Sequence, residues 1–200
     1  ELVAIPHVDT NLVRLPEPLG FVESASLGCR FVTSYRAVMT QGRVWAGEWV
    51  VVHGCGGVGL SAIMIAHARE AKVIAVDVRP EALAFARQLG AQHTLDASQN
   101  SDIADAVCQL TGGGAHVSLD ALGSRATCYN SVACLRKRGR HLQVGLMLND
   151  DRNAAVPMNL VIAKELEILG SHGMPAHDYG AVFGLILNGS LDLKLLVRKT

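Results

Sequence analysis

Trp49-Val50-Val51-Val52-His53-Gly54-Cys55-Gly56-Gly57-Val58-Gly59-Leu60 is an apolar run that stops abruptly at four glycines and then resumes with helical spacing. It reads as a strand, a phosphate-binding turn and a helix. In the pattern G-x-G-x-x-G, Gly54 allows the tight turn, Gly56 lets the backbone approach a diphosphate, and Gly59 lets the helix pack closely on the strand. Gly57 and Val58 complete the cradle. The bare pattern is weak evidence, but its context sharpens it. Leu60, Ile63, Met64, His67 and Ala68 share one helical stripe, and a second apolar strand, Val73 to Val76, ends in Asp77, 18 residues after Gly59.

The second strand of a β-α-β unit ends beside the first, so a carboxylate at its tip can accept hydrogen bonds from the adenosine ribose hydroxyls of a dinucleotide. The same carboxylate repels a 2′-phosphate. The expectation is therefore NAD(H) rather than NADP(H), with Arg79 either offsetting part of that repulsion or lying against the adenine.

The chain has 200 residues, 50% hydrophobic and 18% charged, enough to bury a substantial core. Its 18 basic and 18 acidic residues cancel, with no long run of either, so no nucleic-acid or anionic-membrane partner is indicated. No apolar run reaches the roughly 18 residues needed to cross a bilayer. The N-terminus shows no targeting segment, and its lack of a starting Met fits a piece of a longer chain. Five irregularly spaced cysteines, 29, 55, 108, 128 and 134, fit reduced thiols and a cytoplasmic setting.

Residues 1–28 stand outside the alternating pattern, with a short strand expected over 1–5 and a prolyl turn over 15–20. Residues 1–24 read as a connecting segment and 25–200 as the α/β domain. Phe21 to Met39 is expected to be helical in two pieces, placing Cys29 and Thr33 on one face. After the second strand come a helix from Pro80 to Gly90, a strand over His93 to Leu95, and a helix capped by Ser101 or Asp102 with Ile103, Val107 and Leu110 inward. A fourth strand, His116 to Ala121, leads to a helix capped by Ser124. That helix is expected to carry Arg136-Lys137-Arg138 at its C-terminus, where cations complement the dipole, and to be broken by Gly139. Strands over His141 to Leu146 and Leu166 to Leu169, with helices over Leu160 to Lys164 and Asp178 to Leu187, complete the pattern. It predicts a doubly wound, six-stranded parallel sheet in the order 3-2-1-4-5-6 with helices on both faces. Ligands of such sheets lie across the carboxyl ends of the strands, here Gly54 to Gly57, Asp77, Ala121 to Gly123, Val144 to Leu146 and Gly170-Ser171.

Four segments, Leu27-Gly28-Cys29-Arg30-Phe31-Val32-Thr33-Ser34-Tyr35, His53 to Gly59, Leu119-Asp120-Ala121-Leu122-Gly123 and Gly139 to Leu146, together resemble the cofactor-binding half of the zinc-dependent, medium-chain alcohol dehydrogenases. The similarity covers nearly the whole chain. It implies a Rossmann domain binding NAD(H), with a catalytic zinc in the cleft against an N-terminal domain that these residues do not include. Cys29 matches a zinc-ligating cysteine and Thr33 a nicotinamide contact. Val144, Gly145 and Leu146 match contacts at the nicotinamide end, Leu122 lies in a matching motif, and Gly170 and Ser171 are weaker matches. The expected substrate is a small alcohol or carbonyl compound, and the expected assembly a homodimer or homotetramer paired through the edge strand, with Leu166 to Leu169, Leu185 to Leu187 and Leu191 to Val197 as candidate surface.

A catalytic zinc needs about three protein ligands plus an open position. This chain offers one, Cys29, and no complete catalytic set. His7, His67 and His93 make no metal-like spacing with it, and His53, His116, His141 and His172 read as satisfied core histidines. Cys55 reads as a small residue packed under the phosphate, although a helix N-terminus lowers a thiol pKa. Two other readings stand beside the dehydrogenase. A zinc-free quinone or enoyl reductase would share the sheet, but usually lacks a cysteine at position 29 and favours NADPH. A stand-alone NAD-binding module would need these residues to be the native chain.

Overall fold

The structure is a computed structural model that describes residues 3–196. Six parallel strands, β1 (Trp49–His53), β2 (Lys72–Asp77), β3 (Ala91–Asp96), β4 (Ala115–Asp120), β5 (Leu135–Gln143) and β6 (Glu167–Gly170), form one sheet in the order β3-β2-β1-β4-β5-β6. The expected order is the observed one. Val51 of β1 pairs with Ile74 of β2 on one side and with Ser118 of β4 on the other.

The helices are α1 (Val8–Asn11), α2 (Phe21–Ser26), α3 (Val32–Tyr35), α4 (Gly57–Ala68), α5 (Pro80–Gln88), α6 (Ile103–Thr111), α7 (Arg125–Ala133), α8 (Met158–Lys164) and α9 (Tyr179–Leu187). Alternation along the strands separates two cores. Val50, Val52, Val73 and Ala75 pack with α4, α5 and α9, whereas Val51, Ile74 and Val76 pack with α6 and α7. Both faces of the sheet are covered, which is why β1 and β2 read as continuous apolar runs rather than as alternating ones. Helix α4 sits in the larger core with Ser61 to Ala66 all buried, so it is enclosed nearly all round instead of presenting one stripe. Its His67 is exposed.

Several local expectations change. Val3 to Ile5 form no strand and are exposed, while Glu1 and Leu2 lie outside the described residues. Asp102, not Ser101, caps α6, its side chain accepting from the Asp105 N–H. Ile103 and Val107 of that helix are buried, but Leu110 is exposed because only one narrow stripe meets the sheet. Arg136-Lys137-Arg138 do not end a helix. Helix α7 stops at Ala133, and these residues begin β5 as an irregular excursion between the pairings Ala115–Leu135 and Val117–Arg140, with Arg138 left-handed at φ 60° and Gly139 inside the strand. Leu135 is fully buried against the sheet, and that packing outweighs continued helix. Leu191 and Leu193 are core residues rather than surface, and Val197 lies outside the described residues.

Candidate functional site

The carboxyl end of β1 runs into Gly54, left-handed at φ 92°, and α4 begins three residues later. A Cβ on Gly59 would fall 1.8 Å from the Gly54 carbonyl oxygen, so the helix approaches the strand at a distance only glycine permits. Among the described residues, nothing lies within 4 Å of a would-be Cβ on Gly56, which leaves space at the helix start. No side chain caps α4, so the first-turn N–H groups of Gly57 and Val58 face outward as donors beside the positive end of the helix dipole. The turn therefore fits a phosphate group.

Asp77 ends β2 beside this turn, its side chain 8% exposed. Its Oδ2 accepts from the Cys55 N–H at 2.7 Å, and its Oδ1 from the Arg79 N–H at 2.9 Å and Arg79 Nε at 3.3 Å. Burial pushes the Asp77 carboxyl upward, but these N–H bonds and the adjacent guanidinium outweigh it, and the net pKa lies below the usual value. A carboxylate has about four lone-pair sites, so acceptor capacity is left for a ribose. Cys55 is buried with its thiol pushed up to about 12, chiefly by burial and then by Asp77. Desolvation overrides the lowering expected from the helix N-terminus, and the thiol is a packing group.

Asp120, fully buried at the end of β4, has no role of its own in the sequence reading beyond its place in the Leu119 to Gly123 segment, although an acid inside an apolar strand is a clue to one. Its Oδ1 accepts from the N–H groups of Leu122 and Gly123, both at 2.9 Å, and its Oδ2 from Gln143 Nε2 at 3.0 Å. It thereby fixes the loop after β4 against the end of β5. Of the candidate core histidines, His53 and His141 are buried, and half-buried His116 accepts from the Trp49 N–H at Nδ1. His172 is the exception, exposed in the loop after β6.

Two cavities open along these strand ends. One, of about 340 Å³, is bordered by Cys55, Gly56, Gly57, Arg79 and also Arg30. The other, of about 680 Å³, holds Cys29, Thr33, Val58, Leu122, Val144, Gly145 and Leu146, so residues widely separated in sequence meet on one apolar wall. Gly170 and Ser171 are not on that wall. Ser171 is buried, with its N–H bonded to the Gln143 carbonyl, and after β6 the chain first lines the cleft at His172, Gly173 and Met174. Tyr179, at the start of α9, lines it as well. None of these four shares a motif with the strand ends, and only the return of the chain after β6 brings them in. Cys29 is exposed, and among the described residues no cluster of three or more His, Cys, Asp or Glu could hold a metal ion.

Residues 57–188 match the family model described as zinc-binding dehydrogenase. The chain belongs to that family. It is 28% identical over 195 residues to alcohol dehydrogenase class-2 isozyme 2 of Oryctolagus cuniculus, covering 96% of this chain and 52% of that protein. It is 33% identical over 201 residues to the NAD-dependent alcohol dehydrogenase of Sulfurisphaera tokodaii, covering 100% and 56%. Among solved structures, the alcohol dehydrogenase of Thermus sp. ATN1 superposes with a TM-score of 0.86 at 30% identity, covering 98% of this chain and 57% of that one. Benzyl alcohol dehydrogenase of Acinetobacter calcoaceticus superposes equally well, 0.86 at 27% identity, covering 93% and 52%. The chain spans about half the length of these relatives. This zinc-binding dehydrogenase domain thus carries the glycine turn, the acid after β2 and the cysteine-bearing cleft on one scaffold.

Proposed function

We propose that residues 25–200 are the NAD(H)-binding domain of an alcohol dehydrogenase, with residues 1–24 leading in from a further domain that completes the active site. The observation that carries this reading is the conjunction of an uncapped α4 start, open space above Gly56 and the Asp77 carboxylate beside them. The glycine turn holds the diphosphate, Asp77 accepts from the adenosine ribose, and Thr33, Leu122, Val144, Gly145 and Leu146 form the apolar wall for the nicotinamide ring. Cys29, exposed on the same wall, supplies one thiolate toward a zinc whose other ligands come from outside these residues. When bound, NAD accepts or returns hydride and zinc acts as a Lewis acid on an alcohol or carbonyl oxygen. The chain's own task is to hold the dinucleotide and to exclude water along the cleft. Similarity to alcohol dehydrogenases, an NAD-dependent one among them, supports this reading.

Cys29→Ser in the full-length protein tests the metal role. The variant should lose zinc, read by metal analysis, and alcohol oxidation with it, while NADH binding followed by fluorescence stays within a factor of about two. Full zinc retention would refute the assignment. Residues 1–200 alone are expected to bind NADH without turning over alcohol, and measurable turnover with zinc added would overturn that. We also propose that the open edge of β6 pairs with a second copy, giving a dimer or a dimer of dimers.

A further inference from the structure

Among the described residues bordering the smaller cavity, Arg30 is a cation that the dinucleotide reading leaves without a task. The helical path from Phe21 breaks at Gly28, at φ −37° and ψ −125°, and resumes through α3. After the break, consecutive residues serve different cavities: Cys29 faces the apolar cleft, and Arg30 borders the neighbouring one with Gly56, Gly57 and Arg79. A Cβ on Gly57 would fall 2.3 Å from Arg30 Cδ, 3.0 Å from Nη1 and 3.2 Å from Nε, so the guanidinium lies across the first turn of α4. The backbone there is pinned. Fully buried Ser34 sets its hydroxyl 2.9 Å from the Arg30 carbonyl and 2.7 Å from the Val58 carbonyl, tying the segment that carries Arg30 to the turn itself.

The two arginines at this cavity differ. Arg79 is paired with Asp77, whereas among the described residues the Arg30 guanidinium has no ion pair and no hydrogen-bond partner. A cation beside uncapped helix N–H groups, with no carboxylate paired to it among the described residues, favours an anion bound at the turn.

We propose that Arg30 is a diphosphate ligand, donating to the dinucleotide beside the α4 N–H groups of the glycine turn. The inference rests on the reading that the glycine turn holds a dinucleotide, and adds that cofactor affinity is linked to the segment bearing Cys29. A guanidinium offers two parallel donors to phosphate oxygens, which an ammonium in the same place cannot reproduce.

Binding is measured by calorimetry on the full-length protein for the wild type, Arg30→Gln and Arg30→Lys, with ADP-ribose and adenosine as probes. Arg30→Gln keeps a polar stem against Gly57, and a melting temperature near that of the wild type verifies its fold. ADP-ribose should bind Arg30→Gln about tenfold more weakly and Arg30→Lys about threefold more weakly. Adenosine, which has no phosphate, should bind all three alike. Added salt should weaken ADP-ribose binding less steeply in Arg30→Gln than in the wild type. Equal ADP-ribose affinity across the three proteins overturns the proposal and leaves the dinucleotide reading standing. Equal weakening of adenosine and ADP-ribose also overturns it, showing that Arg30 acts by packing. A wild type that binds neither probe refutes the dinucleotide reading, and this proposal with it.

Discussion

Asp77 does two things with one side chain: it ties the Cys55 N–H of the glycine turn and it holds Arg79. Asp77→Asn keeps an acceptor for Cys55 while removing the charge, so it releases the Arg79 guanidinium and ends the repulsion of a 2′-phosphate. NAD should then bind about tenfold more weakly and NADP more tightly than in the wild type, read by parallel titrations; an unchanged preference would show that Asp77 does not face the ribose. His53 offers a second test. Burial, opposed by the Asp120 carboxylate and reinforced by His141, pushes its pKa from 6.5 down to about 4. The unfolded chain therefore binds a proton between those values that the folded chain does not. The stabilisation is complete above pH 6.5, falls as pH drops from 6.5 to 4, and is absent below, a total of about 3 kcal/mol. Urea unfolding of His53→Phe should show a loss over that window smaller by about that amount; a slope equal to that of the wild type would discard the assignment.

At the scale of elements, the unit that organises the chain is β1, its turn and α4. Gly59 lets the helix dock where its Cβ would meet the Gly54 carbonyl at 1.8 Å, a backbone atom that cannot move aside. Gly59→Ala should destabilise the fold by about 3 kcal/mol, measured from the urea midpoint, and a variant as stable as the wild type would mean that the close approach is not required. This unit was legible because its parts are local: an apolar run covered on both faces, glycines where the backbone needs them, and an acid at the next strand end. The start of β5 was not. Arg136-Lys137-Arg138 carry a helix-terminal charge pattern, and what makes them strand instead is pairing across the sheet, with Leu135 beside Ala115 and Arg140 beside Val117.

For the whole molecule, among the described residues β6 pairs only with β5, leaving its other edge open, and Ile168 on that strand is exposed. A dimer by light scattering, dispersed to a monomer by Ile168→Lys, is the expected outcome, because a charge on an edge strand opposes pairing with a second chain; a wild-type monomer would remove the dimer. Leu191 and Leu193, candidates for the same surface, are instead buried in the core, since hydrophobicity alone does not say which apolar segment turns inward. The sequence by itself determined the sheet order, the glycine turn and its acid, and the neighbourhood of Cys29 and Thr33, because periodicity and short-range spacing encode them. Only the tertiary structure decided that His172 to Met174 rather than Gly170 and Ser171 reach the cleft, that burial raises the Cys55 thiol against the pull of the helix N-terminus, and that Arg30 lies across Gly57. Those outcomes depend on burial and on the meeting of segments far apart in the chain, which no local pattern records.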